Sequence, residues 1–569
     1  MFVVELTGRK GVDMGKLEAA ADKIVAKFTQ SGPTQAELER QIAQFRFESL
    51  NGLQSLTERA DKLNEFEFYF GNPDSFAREI AEYQRATVQS IKSVAAKTLN
   101  PNSRVIIRVI PQAPAPGQDP RDKQPANVAE KPFNFPLPTE FHLANGILVR
   151  YWSKPDLPLT VVTARFGLGA AIDQASKAGL ASLTADAIDE AAGTRDAAAF
   201  TDALDLVGAQ LFTSADITGS TVSLNVATQN LQKALPLMSD VLIRPKLAKD
   251  DFERIRTLQV ENLQNDEAEP GTVASKVGNR LFFGTGHPFA NPVGGLVSTV
   301  KSISLQDVRT EYQTIYRPSN ATLYVASNLS EAEIKKTLNA QFGSWKLAGS
   351  RPIRKPSYPA IPPGKQRLII VDKPGAVQTV IRILMPTESF ASPERYALTE
   401  LGVVFGGTFT SRINHNLREE KGYTYGAGLN YAFSLPASYI VASSSVRTDV
   451  TGPSLKEFIS EFEKIRSGDV SDEEAAKARN SIRVDAISAV GTRQGLIRTA
   501  ITYLENGIPL AAVGKELAKF SGVNASDLNG IAASGLPFDR ALIVLVGDKA
   551  EILKQIGGLG LPEPEVVKP

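Results

Sequence analysis

The feature that most constrains this chain is a long internal repeat. Three stretches share one ending, a proline followed closely by an apolar strand: "LNPNSRVIIRVIP" at 99–111, "YRPSNATLYVASN" at 316–328 and "GLPFDRALIVLVGD" at 535–548. Their prolines, Pro101, Pro318 and Pro537, stand 217 and 219 residues apart. Upstream of each lies a helix opened by polar or acidic residues, "TQAELERQIAQF", "AKDDFERIRTLQ" and "VSDEEAAKARNS", with starts near 34, 248 and 470. Two features at one period argue for duplication. The period is far longer than that of a solenoid, so each copy is expected to be a domain.

On this reading residues 1–112 are the back half of one copy, 113–135 are a Pro-rich linker, 136–350 and 351–558 are two whole copies, and 559–569 are a loose tail. The chain opens on "MFVVELTGRKG", a short strand and a turn rather than a charged region with an apolar signal core. Met1 is therefore expected to follow a segment lost upstream or encoded separately. Within a copy both hydrophobic periods occur. "STVSLNV" (220–226) alternates, with Val222, Leu224 and Val226 on one strand face. "SLKEFISEFEKI" places Leu455, Phe458, Ile459 and Phe462 on one helical face. "RLIIVDKPGAVQTVIRILMP" reads as two strands around a Pro-Gly turn at Lys373–Ala376. No regular βαβ rhythm links them. The expected class is α+β, with antiparallel-rich sheets and helices packed on one face.

Composition excludes several chemistries. There is no cysteine, hence no disulfide, thiolate metal site or cysteine nucleophile. Histidine occurs three times, at His142, His287 and His415, which leaves little for the mechanisms that lean on imidazole. The net charge of +1 and the lack of a basic block speak against nucleic acid as a partner. No apolar run reaches the ~20 residues of a membrane span.

One stretch carries an unusual pattern. "NHNLREEKGYTYGAG" (414–428) runs from a charged helix end into a strand, with Arg418 and Tyr425 seven residues apart. Together with "VVFGGTFTSRI" before it, with "GTGHPFANPVGG", and with "FHLANGILVRYW" through "LDLVGAQL", it resembles the pitrilysin/insulinase-type zinc peptidases (inverzincins). The resemblance covers nearly the whole chain. It implies a LuxS/metallopeptidase-like fold of four homologous α+β domains in two halves that close like a clamshell. One half carries an inverted zinc motif, H-x-x-E-H. The other lacks zinc and supplies an Arg and a Tyr to the active site, positions matched here by Arg418 and Tyr425. Both side chains donate hydrogen bonds, as oxyanion stabilisation or a grip on the peptide backbone requires. The glycine stretch borders the substrate chamber in the family, so Gly406, Gly407 and Phe409 are expected to contact peptide.

The departure lies in the metal. Where an inverted zincin carries His, Glu and His, "GLASLTADAIDE" has Ser182, Ala185 and Asp186. No His-x-x-Glu-His occurs anywhere in the chain. Asp186, Asp189, Glu190 and Glu261 lie in or near this region and read as solvated helix residues. Zinc is therefore expected only on a partner or on an upstream domain, and this chain is expected to bind no cofactor. His287 reads as a hydrogen-bonded loop residue, His142 as a surface residue before a hairpin turn, and His415 as an exposed helix residue. Ser298 and Lys301 form an S-x-x-K pair without the S-D-N or K-T-G partners of a serine hydrolase, and no G-x-S-x-G elbow occurs.

Three functions remain. The first is a non-catalytic peptidase half that binds extended peptide and lends Arg418 and Tyr425 to a zinc-bearing subunit. The second is a non-zinc hydrolase of small esters or amides. The third is a binding or assembly subunit, including a homo-oligomer. No signal peptide opens the chain, although bacterial relatives are often periplasmic.

Overall fold

The structure is a computed structural model that describes residues 14–99, 132–346, 356–362 and 364–568. The strand expected at 99–111, the opening strand and most of the linker lie outside the described residues. Contacts divide the chain into two compact units, Met1–Pro132 with Ala203–Ala209, and Phe133–Asp202 with Gln210–Pro569.

The described part of the first unit is helical: α1 (Met14–Ser31), α2 (Gln35–Gly52), α3 (Leu56–Phe70), α4 (Phe76–Gln84) and α5 (Val88–Thr98). Helix α2 starts where the repeat places it. Thr34 caps it, accepting from the Glu37 N–H while Glu37 accepts from the Thr34 N–H, a reciprocal box that satisfies two orphan donors. Phe47, Leu50 and Phe66 are buried.

The second unit holds two six-stranded sheets. The first comprises β1 (Thr139–His142), β2 (Leu148–Ser153), β3 (Leu159–Phe166), β4 (Ala209–Ala215), β5 (Ser220–Ala227) and β6 (Ala321–Ser327). Its helices are α6 (Leu180–Ile188), α7 (Ala197–Leu206), α8 (Leu231–Ile243), α9 (Lys249–Ala268), α10 (Pro270–Phe283), α11 (Val297–Ser302), α12 (Leu305–Ile315) and α13 (Glu331–Phe342). The second sheet comprises β7 (Arg367–Asp372), β8 (Gln378–Pro386), β9 (Thr424–Ala432), β10 (Tyr439–Arg447), β11 (Leu542–Gly547) and β12 (Pro564–Val567). With it run α14 (Arg395–Gly402), α15 (Arg412–Asn414), α16 (Thr451–Arg466), α17 (Asp472–Ala489), α18 (Arg493–Glu505), α19 (Val513–Ser521), α20 (Ala525–Gly535) and α21 (Lys549–Gln555).

The strand orders are β1-β2-β6-β3-β5-β4 and β12-β7-β11-β8-β10-β9. Setting β1 and β12 aside, the two sheets share one topology, as duplication requires. The strands around the Lys373–Ala376 turn both form, and the Ala376 N–H closes the turn on the Lys373 carbonyl at 3.1 Å. They are not neighbours, however. β11 enters between them, parallel to β7 and antiparallel to β8. β6 does the same between β2 and β3. These central strands, "ATLYVAS" and "LIVLVG", are the ones that follow the repeating prolines.

Each copy packs its own helices on one sheet face. In the second copy Ile370, Ile381, Ile383 and Leu545 meet Phe405, Leu455, Phe458 and Phe462. Ile459 is only half-buried, so the α16 stripe is narrower than its sequence pattern. The other face of each sheet is covered by a helix from the other copy. Val273, Val277 and Phe283 of α10 pack on Ile369, Val371 and Val544. Leu496, Ile497 and Ala500 of α18 pack on Trp152, Val161 and Ala326. Polar clamps fix the exchange. Arg165 on β3 reaches Glu505 at the end of α18 and Asp216, both at 2.7 Å. Arg493 at the start of α18 donates to the Lys154 and Leu157 carbonyls at 2.7 and 2.8 Å.

The tail is not loose throughout. Pro564–Val567 forms β12, parallel to β7, and Glu565 pairs with Arg367 at 2.8 Å. β7 would otherwise end the sheet with unpaired backbone groups, and the short strand covers them. Among the described residues no helix is long and apolar enough to cross a membrane.

Candidate functional site

The Arg418/Tyr425 segment lies between α14 and β10. Helix α14 runs into a wide π-type turn at Val403–Gly407, then come α15, a second π-type turn at His415–Glu420, and β9. Such turns widen the helical ladder by one residue and are frequent at functional sites.

Gly406 has a packing reason. A Cβ there would lie 2.2 Å from the Leu429 nitrogen and 2.8 Å from the Gly428 carbonyl carbon. The first turn therefore crosses the backbone of β9 at a distance that no side chain permits. Gly407 is less constrained, since its Cβ would meet the Val403 side chain at 3.3 Å. Gly422, with φ +63, supplies the left-handed residue that turns the chain into β9.

The second turn is anchored at both ends. Its Arg412 neighbour donates to Glu474 at 2.6 and 2.8 Å and to Asp469 at 2.5 Å. Burial pushes the Glu474 carboxyl upward, but hydrogen bonds from Arg412 and Ser471 outweigh it and hold the group at about 2. Asn416 donates to Glu457 and Glu461 of α16 at 2.9 and 3.0 Å. Asn414, which is buried, donates to the Phe409 carbonyl at 2.5 Å and accepts from the Ala427 N–H at 3.0 Å.

On this frame the guanidinium of Arg418 lies over the Phe409 ring, 4.5 Å from its centroid. It also pairs with the adjacent Glu419 at 3.2 Å and remains 38% exposed. Tyr425 is 87% exposed. It stands on a β-bulge, because β9 and β10 shift register between Ser444 and Val446, so Tyr425 and Gly426 oppose Ser445. The Thr424 hydroxyl braces the bulge, donating to the Ser445 carbonyl at 2.7 Å and accepting from the Gly426 N–H at 3.0 Å.

The structure thus brings Arg418 and Phe409 together, places Gly406 beneath β9 and presents Tyr425 on the edge strand. Sequence reasoning missed Asn414, Asn416 and the bulge. An asparagine between Ile413 and His415 carries no periodic signal of burial, and bulges have none.

Two family profiles match. The profile described as "Insulinase (Peptidase family M16)" covers residues 158–283, and that described as "Peptidase M16 inactive domain" covers 302–482. Between them the ranges span more than half of the chain. The chain belongs to peptidase family M16.

Similarity to individual M16 proteins agrees. An uncharacterized zinc protease of Mycobacterium tuberculosis is 26% identical over 290 residues, 51% of this chain and 65% of that protein. One from Mycobacterium leprae is 27% identical over 339 residues, 55% of this chain and 74% of that protein. The chain therefore spans just under two-thirds of the former's length. A peptidase M16 inactive domain from Pseudomonas fluorescens superimposes with a TM-score of 0.65 at 19% identity, over 72% of this chain and 98% of that one. A protease from Helicobacter pylori does so with a TM-score of 0.66 at 18% identity, over 72% and 100%. These structures share the fold.

Family M16 implies zinc, and the residues of α6 do not fit it. Ser182 offers a hydroxyl, Asp186 a single exposed carboxylate, and Ala185 is fully buried with no donor atom. Among the described residues no three histidine or carboxylate side chains are grouped to hold an ion. Of the nearby carboxylates, Glu261 is exposed and Glu190 pairs with Arg254. Asp189 accepts from the Thr213 hydroxyl at 2.9 Å and is pushed up to about 7, chiefly by desolvation.

His287 is buried. Its Nδ1 accepts from the Phe289 N–H at 3.1 Å, its ring stacks on Phe283 at 4.9 Å, and burial lowers its pKa. It is the hydrogen-bonded loop residue expected. His142 is exposed beside the β1–β2 turn, and His415 is 58% exposed, 3.3 Å from Glu420. Ser298 and Lys301 are both exposed on α11.

Proposed function

We propose that this chain is the non-catalytic part of a two-part zinc peptidase. It holds an extended peptide and presents Arg418 and Tyr425 to the scissile carbonyl, while the metal site is carried by another polypeptide. The observation that carries this reading is the rigid frame beneath the two donors. Arg412, Asn414, Asn416 and Thr424 are all spent on fixing the backbone, whereas Tyr425 projects into solvent and Arg418, laid over Phe409 beside Glu419, remains 38% exposed. Donors held ready in this way need no reorganisation when charge develops on a carbonyl oxygen. β9, at the sheet edge, offers main-chain groups to an extended peptide.

The chemistry asked of this chain is modest. Arg418, steadied by the Phe409 face, supplies positive charge and N–H donors. Tyr425 supplies one O–H. Together they orient the carbonyl and stabilise negative charge on its oxygen.

The test combines this chain with an H-x-x-E-H-bearing M16 polypeptide of the same organism and follows cleavage of an unstructured peptide. Cleavage is expected from the pair and not from this chain alone. Arg418→Ala or Tyr425→Phe is expected to lower kcat/KM roughly 100-fold, as loss of one oxyanion donor does. Turnover by this chain alone, or full activity of the pair with both substitutions, would refute the proposal. The second outcome would leave an assembly role.

A further inference from the structure

We infer that Asn414 and Phe409 are positioning residues, and that one buried amide sets both Arg418 and Tyr425. The inference deepens the reading above and rests on it for its catalytic consequence, though not for its structural one.

The argument starts from the two ends of one side chain. The Asn414 amide donates to the carbonyl of Phe409 and accepts from the N–H of Ala427. The first bond holds the residue whose ring carries the Arg418 guanidinium at 4.5 Å. The second holds the strand two residues past Tyr425, at the bulge. Asn414 is 4% exposed, so water does not replace these bonds readily. Only a primary amide both donates and accepts at this reach. Aspartate keeps the acceptor and loses the donor, and leucine loses both.

Phe409 is 59% exposed, an uncommon place for a phenylalanine. The cation–π contact gives it a use. A guanidinium over an exposed ring is attracted to the ring's negative face, which favours one orientation of a long side chain. The neighbouring Glu419 carboxylate, at 3.2 Å, lies on the same turn and holds the Nε side. Phe409 thus serves Arg418 rather than reading a substrate residue.

Arginine-specific modification tests the structural claim on the full chain without any partner. Phenylglyoxal is applied, and the rate at the peptide bearing Arg418 is read by mass spectrometry. Arg412, held by Glu474 and Asp469, serves as the slow internal reference. Phe409→Leu and Asn414→Leu are each expected to raise the Arg418 rate about fivefold, Asn414→Asp to raise it to an intermediate value, and Phe409→Trp to restore the wild-type rate. Unchanged rates in Phe409→Leu and Asn414→Leu would overturn the inference. So would a rise equalled by Phe409→Trp.

Cleavage by the two-part system is the second arm. Asn414→Asp is expected to lower kcat about tenfold with KM within a factor of two, and Phe409→Trp to retain kcat. Modification rates as expected with no cleavage from any pair would sink the proposed function and leave the positioning inference standing. Intact cleavage in Asn414→Leu, with unchanged modification, would sink the inference alone.

Discussion

Helix α14, which leads into the first π-type turn, carries a buried acid whose cost can be worked through. Glu400 is fully buried, and neither carboxylate oxygen has a hydrogen-bond partner. Desolvation pushes its pKa up to about 8. Arg479 pulls it down and Asp527 pushes it further up, both by less. Glu400 is therefore protonated in the folded chain at neutral pH, while in the unfolded chain it titrates at the ordinary value of 4.5. Between those two pH values the folded state holds a proton that the unfolded state has released, so stability falls as pH rises. The slope is at most about 1.4 kcal/mol per pH unit, and the full window amounts to at most about 5 kcal/mol. Glu400→Gln keeps the shape and one polar carbonyl but cannot ionise. Relative to wild type it is expected to be near neutral at pH 4.5, about 2 kcal/mol more stable at pH 6.5 and about 4 kcal/mol more stable at pH 8.5. The assay is urea unfolding followed by far-UV circular dichroism, because both tryptophans, Trp152 and Trp345, lie in the first copy and do not report on α14. Other raised carboxylates, Asp189 and Glu311, are common to both proteins and cancel in the difference. A stability difference that does not change between pH 4.5 and 8.5 would refute the reasoning.

Two further outcomes are expected. Gly406→Ala forces its new carbon against the β9 backbone and is expected to cost about 2–3 kcal/mol by overpacking, read as a lowered Tm, whether or not peptide is present. A loss of peptide binding at unchanged Tm would instead give Gly406 the substrate contact first expected of it. Arg165→Met removes the guanidinium shared by Asp216 and Glu505 and is expected to cost about 1–2 kcal/mol in urea unfolding, since the clamp is lost while both carboxylates, 55% and 34% exposed, keep part of their hydration.

Much of the local structure was legible. Val222, Leu224 and Val226 alternate because one face of β5 is buried, and all three are. The polar and acidic opening of the helix near 470 marks the start of α17 because the first backbone N–H groups of a helix need acceptors, and in the structure Ser471 and Glu474 supply them. The repeated prolines mark where the central strand of each sheet begins. Arg418 and Tyr425 were legible only through resemblance to the Arg/Tyr motif of the zinc-peptidase family, whose seven-residue separation they share.

What the chain determined by itself is whatever depends on neighbours a few residues away: helix caps, strand alternation, turns, the duplicated plan and the missing metal donors of α6. These are set by local sterics, by backbone hydrogen-bond demand and by residue chemistry. Only the tertiary structure decided that β6 and β11 slide between the strands flanking their turns, that α10 and α18 exchange sheets, that Pro564–Val567 becomes an edge strand, and that Asn414 joins Phe409 to β9. Each of these depends on contacts between distant segments, and a sequence carries no periodic signature of the partner it will meet across such a distance.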